Sequence, residues 1–294
     1  MRTPTIQLVR TITSEARREG HVARDMSAAG ALELTHVGTA PPASADQTKS
    51  GGIFVWLEHD PATPRPIEKR DSVSGFRYFL DGTQRTLPCW NVGSIPIVLG
   101  FVAAGVLERD ELGRFRLMPG MLATERFGVA PLRSGSTTVN HLCSRLRDGG
   151  LHVFDPLESQ TDDEEGYRAT LDDFGQLMSL AYQTVLRQRE RLEARLLNDW
   201  LASPRPGSLM VDGSLRSEAP NTVGVVKSFT RQYVSGPEAT ALFGLAMGER
   251  SAAFEVPPSY GRHDPVIAWY QRLWSPDGKD PRHALVRVET SAAA

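Results

Sequence analysis

The chain has 294 residues, enough to bury a sizeable core as one large domain or two small ones. Hydrophobic residues make up 40% and charged residues 23%, the balance of a soluble globular protein. A formal net charge of −2 argues against a protein that coats nucleic acid electrostatically, but not against an enzyme that gathers a few Lys and Arg around one cleft. No apolar run reaches the roughly 18–20 residues needed to cross a bilayer, so no membrane association is expected. Arg17, Arg18, Glu19 and Arg24 break up the first thirty residues, which does not suit a signal peptide. Cys89 and Cys143 offer neither a disulfide framework nor a metal-ligand spacing, and the expected setting is reduced and cytoplasmic.

In chain order, 5–30 reads as a partly amphipathic helix with Leu8, Ile12, Ala16 and His21–Val22 on its less polar side. Residues 38–52 (GTAPPASADQTKSGG) read as a flexible connector. The expected organisation is therefore an N-terminal helical arm and linker over 1–52 and a main domain over 53–294. The main domain opens with a short apolar run at 53–57 and a Pro-rich loop at 60–66, then an aromatic strand at 76–80 (FRYFL). Further strands are read between 86 and 107. The acidic stretch 155–173 leads a long helix over about 171–201, where negative charge suits the N-terminal dipole. The turn SPRPGS stops it, and strands follow at 209–211 and 223–226. A helix at 237–247 precedes strands at 252–256, 266–274 and 284–290. Strands first, then a long helix, then strand and helix in alternation define an α/β fold with a mixed sheet.

Several motifs are missing: a phosphate loop, H-E-x-x-H, paired C-x-x-C and G-x-S-x-G. The chemistry that remains is carboxylates at strand ends. Asp81 follows FRYFL and Asp212 follows LMV, in the matching contexts YFLDGTQR and LMVDGSLR. An Asp at the end of a buried strand sits where clefts of α/β sheets open, and the Gly after it leaves room for a metal or phosphate. Asp-Gly is also a common hairpin-turn dipeptide, and that reading stays open beside the first.

At 100° per residue, Met178, Tyr182, Val185, Leu186, Leu192, Leu196, Leu197 and Trp200 share one face of the long helix, with Glu193 inside that face and Glu190 at its edge. A carboxylate aimed into a core is costly unless it is paired or holds a metal. Arg189, one turn earlier, is its alternative partner through an i,i+4 pair. Three acids from two strands and a helix suit a pair of divalent cations such as Mg²⁺ or Mn²⁺ for phosphodiester hydrolysis. Lys227, ending VGVVK before Ser228, Thr230 and Arg231, is a candidate phosphate ligand or a solvated turn lysine.

With the D-G-S/T strand, the Glu-bearing helix, the second strand LMVDGSLR and then NTVGVVKS, residues 76–290 resemble the NurA nuclease family. The resemblance implies an RNase H-like mixed sheet flanked by helices, with DNA as substrate and Mn²⁺ or Mg²⁺ as cofactor. It also implies a homodimer working with a HerA-type hexameric ATPase, in DNA end processing or defence against foreign DNA. Asp81, Glu193 and Asp212 match the family's metal-binding acids. Family members usually continue past the R-V-E strand into a helix that adds a His or Tyr, whereas this sequence ends ETSAAA. His263, Asp264 and His283 are the candidates to stand in for it. The alternative function is a non-catalytic RNase H-like adaptor that docks on the ATPase ring. A third reading takes both Asp-Gly pairs as turns and the likeness as one of fold alone.

Overall fold

A computed structural model of the chain describes residues 4–25, 54–68, 75–158, 164–203, 205–215, 219–227, 233–258 and 264–292. Among these, five helices and thirteen strands make a mixed α/β protein with one large mixed sheet. No helix among them is long and apolar enough to cross a membrane. Two compact units divide the chain, the first from Met1–Pro42, Gly82–Ala104 and Ala123–Ala194, the second from Ala43–Asp81, Gly105–Leu122 and Arg195–Ala294. Strands β4 (Phe76–Val92), β5 (Ile95–Arg109) and β6 (Phe115–Val129) contribute residues to both. Their short connections make them antiparallel neighbours. Gly93, at φ 62°, turns the first, and the Asp110 carboxylate accepts the Leu112 and Arg114 backbone N–H groups in the second.

In the first unit, helix α1 (Pro4–Arg18) carries Val9, Ile12 and Ala16 at helical spacing, and all three are buried. They share a core with Val139, Leu142, Cys143 and Leu146 of α2 (Thr137–Asp148) and with Trp90 of β4. The Trp90 indole N–H donates to Thr13 Oγ1 at 2.8 Å, so the largest buried side chain has its one polar atom satisfied. The apolar side of α1 is thus covered within its own unit. The helix also ends earlier than periodicity suggests. Gly20, at φ 82°, takes the left-handed position, His21 N donates to Ala16 O and Gly20 N to Arg17 O, a Schellman closure. Strand β1 (Arg24–Asp25) follows, paired antiparallel with Asn91 and Trp90. The connector 38–52 lies outside the described residues, as do Asp162, Asp163, Ser228, Thr230, Arg231 and His263.

Sequence reading assigns no element between 108 and 154, where β6, α2 and β7 (His152–Phe154) are found. Pro119 and Gly120 interrupt the strand pattern of β6. They are tolerated because β7 pairs only with Phe127–Val129, leaving Pro119 outside that ladder. The acidic stretch forms its own helix, α3 (Glu164–Leu171), and α4 (Phe174–Leu201) starts after Asp173, whose carboxylate accepts from Gln176 N. Along α4 the expected inner face is buried at Met178, Val185, Leu192, Leu196, Leu197 and Trp200. Leu186 is exposed instead, and Leu177, Leu180 and Ala181 are buried, so the covered face at the start of the helix is rotated from the expected one.

The second unit is built on β8 (Ser208–Asp212) and β9 (Thr222–Val226), which run parallel to each other, with β8 parallel to β4. Antiparallel strands β13 (Leu285–Ser291), β12 (Val266–Arg272), β11 (Phe254–Val256) and β2 (Val55–Trp56) extend the ladder outward from β9. A short pair, β3 (Arg65–Pro66) and β10 (Glu249–Arg250), joins beside β12. Along the sheet the order is β2-β11-β12-β13-β9-β8-β4-β5-β6-β7. Helix α5 (Gly236–Phe243) is held by Arg272, a fully buried side chain on β12 that donates to the Phe243, Leu245 and His283 carbonyls. Burial lowers the Arg272 pKa, and those carbonyls take up its donors at the helix end.

Glu58 ties the segment after β2 to β10, accepting from both terminal nitrogens of Arg250 at 2.7 and 2.8 Å and from Ala253 N. The Arg250 hydrogen bonds, with help from the Ala253 N–H, hold its carboxyl down at about 2. That lies below the unfolded value of about 4.3, so the stabilisation is complete above about pH 4.3 and lost as pH falls toward 2. A Glu58→Gln protein should therefore be less stable than the parent at pH 6 and nearly equal to it at pH 2, by urea titration. Ile12→Ala should cost about 2–4 kcal/mol in the same measurement. A cost under about 0.5 kcal/mol, as for surface changes, would mean that α1 is not part of the core.

Candidate active site

The second unit places the two acids side by side; Asp212 ends β8 as expected, but Asp81 lies within β4, which runs on to Val92 and does not end at FRYFL. Phe79 pairs with Met210 and Leu80 with Val211 in parallel register, so the next step along each strand is Asp81 beside Asp212. Parallel neighbours at one level point to the same face, with backbones about 4.8 Å apart. Leu80 and Val211, buried on the other face, fix that level, and by alternation Asp81 is exposed and Asp212 half-buried. Asp212 also pairs with Val225 of β9. Two residues on, Lys227 returns to the same face and sets its ammonium 2.7 Å from Asp212 Oδ2.

Neither Asp-Gly is a hairpin turn. Asp81-Gly82 lies inside β4, and Asp212-Gly213 ends β8, whose chain successor β9 is a parallel neighbour and not an antiparallel one. Gly213 is needed for its backbone, at φ 132°, where it donates to Val225 O. Gly224 is needed for space, since a Cβ there would sit 2.6 Å from the Gly213 carbonyl oxygen. The loop after Asp212 is thus pressed directly onto β9.

Beneath that loop is a buried ion pair that sequence reading did not single out. Glu289 of β13 is wholly buried, accepting from Arg287 Nε at 2.8 Å and from Leu215 N at 3.0 Å. Arg287 also donates to Ser214 Oγ at 3.1 Å and lies over the Tyr233 ring. Burial, the largest single influence, opposes the Arg287 charge, but the Glu289 carboxylate together with Tyr233 and Tyr270 holds the guanidinium above its usual range. The signal was present in ALVRVE: two opposite charges two residues apart fall on one face of an otherwise apolar strand.

Glu193 belongs to the first unit and is described within it. Its carboxylate stands against Gly82, where a Cβ would overlap it, and Arg189 Nε lies 3.4 Å from its Oε1. The i,i+4 partner weighed from sequence is therefore in place. Glu193 retains 15% side-chain exposure, and Glu190 is half-buried one turn away. Among the stand-ins for a C-terminal residue, His283 lies in the exposed turn before β13. The pairing Arg287↔Val226 puts the start of β13 at the sheet edge where β9 ends. Asp264 precedes β12 at the opposite edge, since Val266 pairs with Ser291.

No protein-family model matches the chain, and a search of curated proteins finds no match either.

Removing the Glu289 charge leaves Arg287 buried without its counterion. Glu289→Gln should cost about 3 kcal/mol or more in urea unfolding. Adding Arg287→Met should return part of that loss, whereas equal stability of parent and Glu289→Gln would show that the pair carries no load.

Proposed function

We propose that this chain is a metal-dependent DNA nuclease subunit of the NurA type, working on DNA with a HerA-type hexameric ATPase. The observation that carries the reading is the place of Asp81 and Asp212, each one step beyond the paired Leu80 and Val211 on neighbouring parallel strands. In support, the order β6-β5-β4-β8-β9 has three antiparallel strands followed by two parallel to the first, the mixed arrangement of an RNase H-like core. Two carboxylates and no nitrogen or sulfur donor suit Mn²⁺ or Mg²⁺. Such a cation, when bound, would polarise a scissile phosphate and lower the pKa of its water. Asp81 and Asp212 are the proposed ligands. Glu193 is added by the family resemblance, together with action as a homodimer in end processing or defence against foreign DNA.

Lys227 has two states to choose between. In the present geometry it neutralises Asp212; with a cation on the acids it is released to hold a neighbouring phosphate as a point charge. That same ion pair is what favours the second reading, a non-catalytic adaptor: a closed Lys–Asp pair satisfies the acid without any metal.

Linear DNA incubated with the full chain and Mn²⁺, alone and with the ATPase, separates the two. Asp81→Asn or Asp212→Asn should each slow cleavage by about a hundredfold or more, equivalent to about 2.7 kcal/mol of barrier. Gly82→Ala pushes the flexible Glu193 carboxylate aside while leaving both Asp side chains in the sequence. If Glu193 is the third ligand, Gly82→Ala and Glu193→Gln weaken Mn²⁺ dependence alike. Parent-level cleavage in both Asp variants, or none in the parent with its ATPase, moves the chain to the adaptor reading.

A further inference from the structure

We propose a second metal site, for a borderline transition cation such as Zn²⁺, Co²⁺ or Ni²⁺, formed by Glu19, His21 and His141 in the first unit. One donor atom from each of these residues lies within 4.8 Å of the others. His21 and His141 stack with ring centroids 4.2 Å apart and planes 23° off parallel. Glu19 Oε2 is 3.3 Å from His141 Nε2. That nitrogen is shielded from solvent yet makes no hydrogen bond, so the carboxylate stands near it but off the donor axis. A nitrogen and a carboxylate oxygen turned to one small volume, without a proton shared between them, is what a bridging cation would satisfy.

Backbone on both sides is held before any ion arrives. The Schellman closure of α1 fixes His21 one residue past Gly20, folded back over the helix end. His141 sits in the second turn of α2, whose Ser136 cap accepts from Val139 N. The two helices are joined by their shared core and by an ion pair between Glu15 and Arg145. Thr138, one turn before His141, places its hydroxyl 3.2 Å from His21 Nδ1. That contact orients the ring and leaves Nε2 for the metal, the outer-shell support usual for histidine ligands.

Two imidazoles and one carboxylate select borderline cations over Mg²⁺ or Ca²⁺, which prefer all-oxygen sets. With metal–ligand bonds of about 2.0–2.1 Å, tetrahedral donors stand about 3.3 Å apart. The closure required is small, and Glu19, on an exposed turn with 53% of its side chain in solvent, is free to supply it. A cation there would lock the end of α1 to α2 and fix the direction in which the chain leaves for β1. Water completes the fourth position, as at other three-ligand sites. The site shares no residue with Asp81 and Asp212, and the inference stands whether or not the chain is a nuclease.

The test uses the full chain, stripped with chelator and dialysed, and then Co²⁺ and Zn²⁺ as probes. Co²⁺ should give visible d–d absorption of a four-coordinate N,O site, displaced by Zn²⁺, and Zn²⁺ should raise the unfolding midpoint. His141→Ala, His21→Ala and Glu19→Gln should each weaken binding by at least about tenfold, the loss seen even for outer-shell partners. Glu19→Gln is an exposed change that leaves the fold intact, so the test survives if a histidine variant fails to fold. Asp81→Asn with Asp212→Asn should leave the cobalt spectrum unchanged. Absence of both the absorption and the midpoint shift, or unchanged binding in Glu19→Gln, overturns the site; so does loss of the spectrum in the Asp81, Asp212 variant.

Discussion

The parallel pairing of β4 with β8 is the constraint on which the candidate site depends. In parallel strands, residues that follow a paired couple advance in the same direction and stay level with each other. With Leu80 opposite Val211, the acids that follow are neighbours. A shift of one residue would turn one acid to the apolar face. The buried side chains on that face therefore decide where the carboxylates stand, although they touch no substrate.

The loop after Asp212 is held by a second layer of constraint. Gly213 supplies a backbone angle that side chains rarely adopt, and Gly224 supplies the space for that loop to lie on β9. Glu289 then takes the Leu215 N–H and, through Arg287, the Ser214 hydroxyl. Burying this ion pair is expensive, and apolar residues of equal volume would often be at least as stable. Its return is positional: one carboxylate fixes two successive residues of the loop that carries Asp212.

Much of this was legible from the residues alone. Apolar runs followed by Asp-Gly singled out Asp81 and Asp212, although β4 continues past Asp81 to Val92, and i,i+4 spacing marked Arg189 as a partner of Glu193. Strands β8, β9, β11, β12 and β13 fall within a few residues of where alternation puts them. What escaped was set by tertiary contact. Trp90 gives no hint in sequence that it will bond Thr13, 77 positions away, and so draw α1 into a core. Strand β6 has half-exposed, charge-rich alternation broken by Pro119, and it exists because β5 offers a ladder. Glu289 looks like a strand-surface charge until its neighbours bury it.

Electrostatics offers a way to weigh the two proposed roles against each other. Carboxylates on neighbouring strands, whose backbones are about 4.8 Å apart, repel by roughly 1 kcal/mol in water if the charges keep that spacing, and more at a protein surface of lower effective dielectric. An adaptor that needed only the shape of the sheet would have no reason to keep that repulsion. Any neutral residue at either position would preserve the register, which Leu80 and Val211 set. Lys227 relieves the repulsion in part, but it contacts Asp212 from a side chain that is 63% exposed, where ion pairs are weak and easily exchanged. A weak internal counterion suits a site whose stronger counterion comes and goes. A structural acid is better served by a bidentate partner, the arrangement that this chain does use for the half-buried Glu58 with Arg250. The same protein therefore shows two kinds of carboxylate pairing, a bidentate one at Glu58 and a single lysine contact at Asp212.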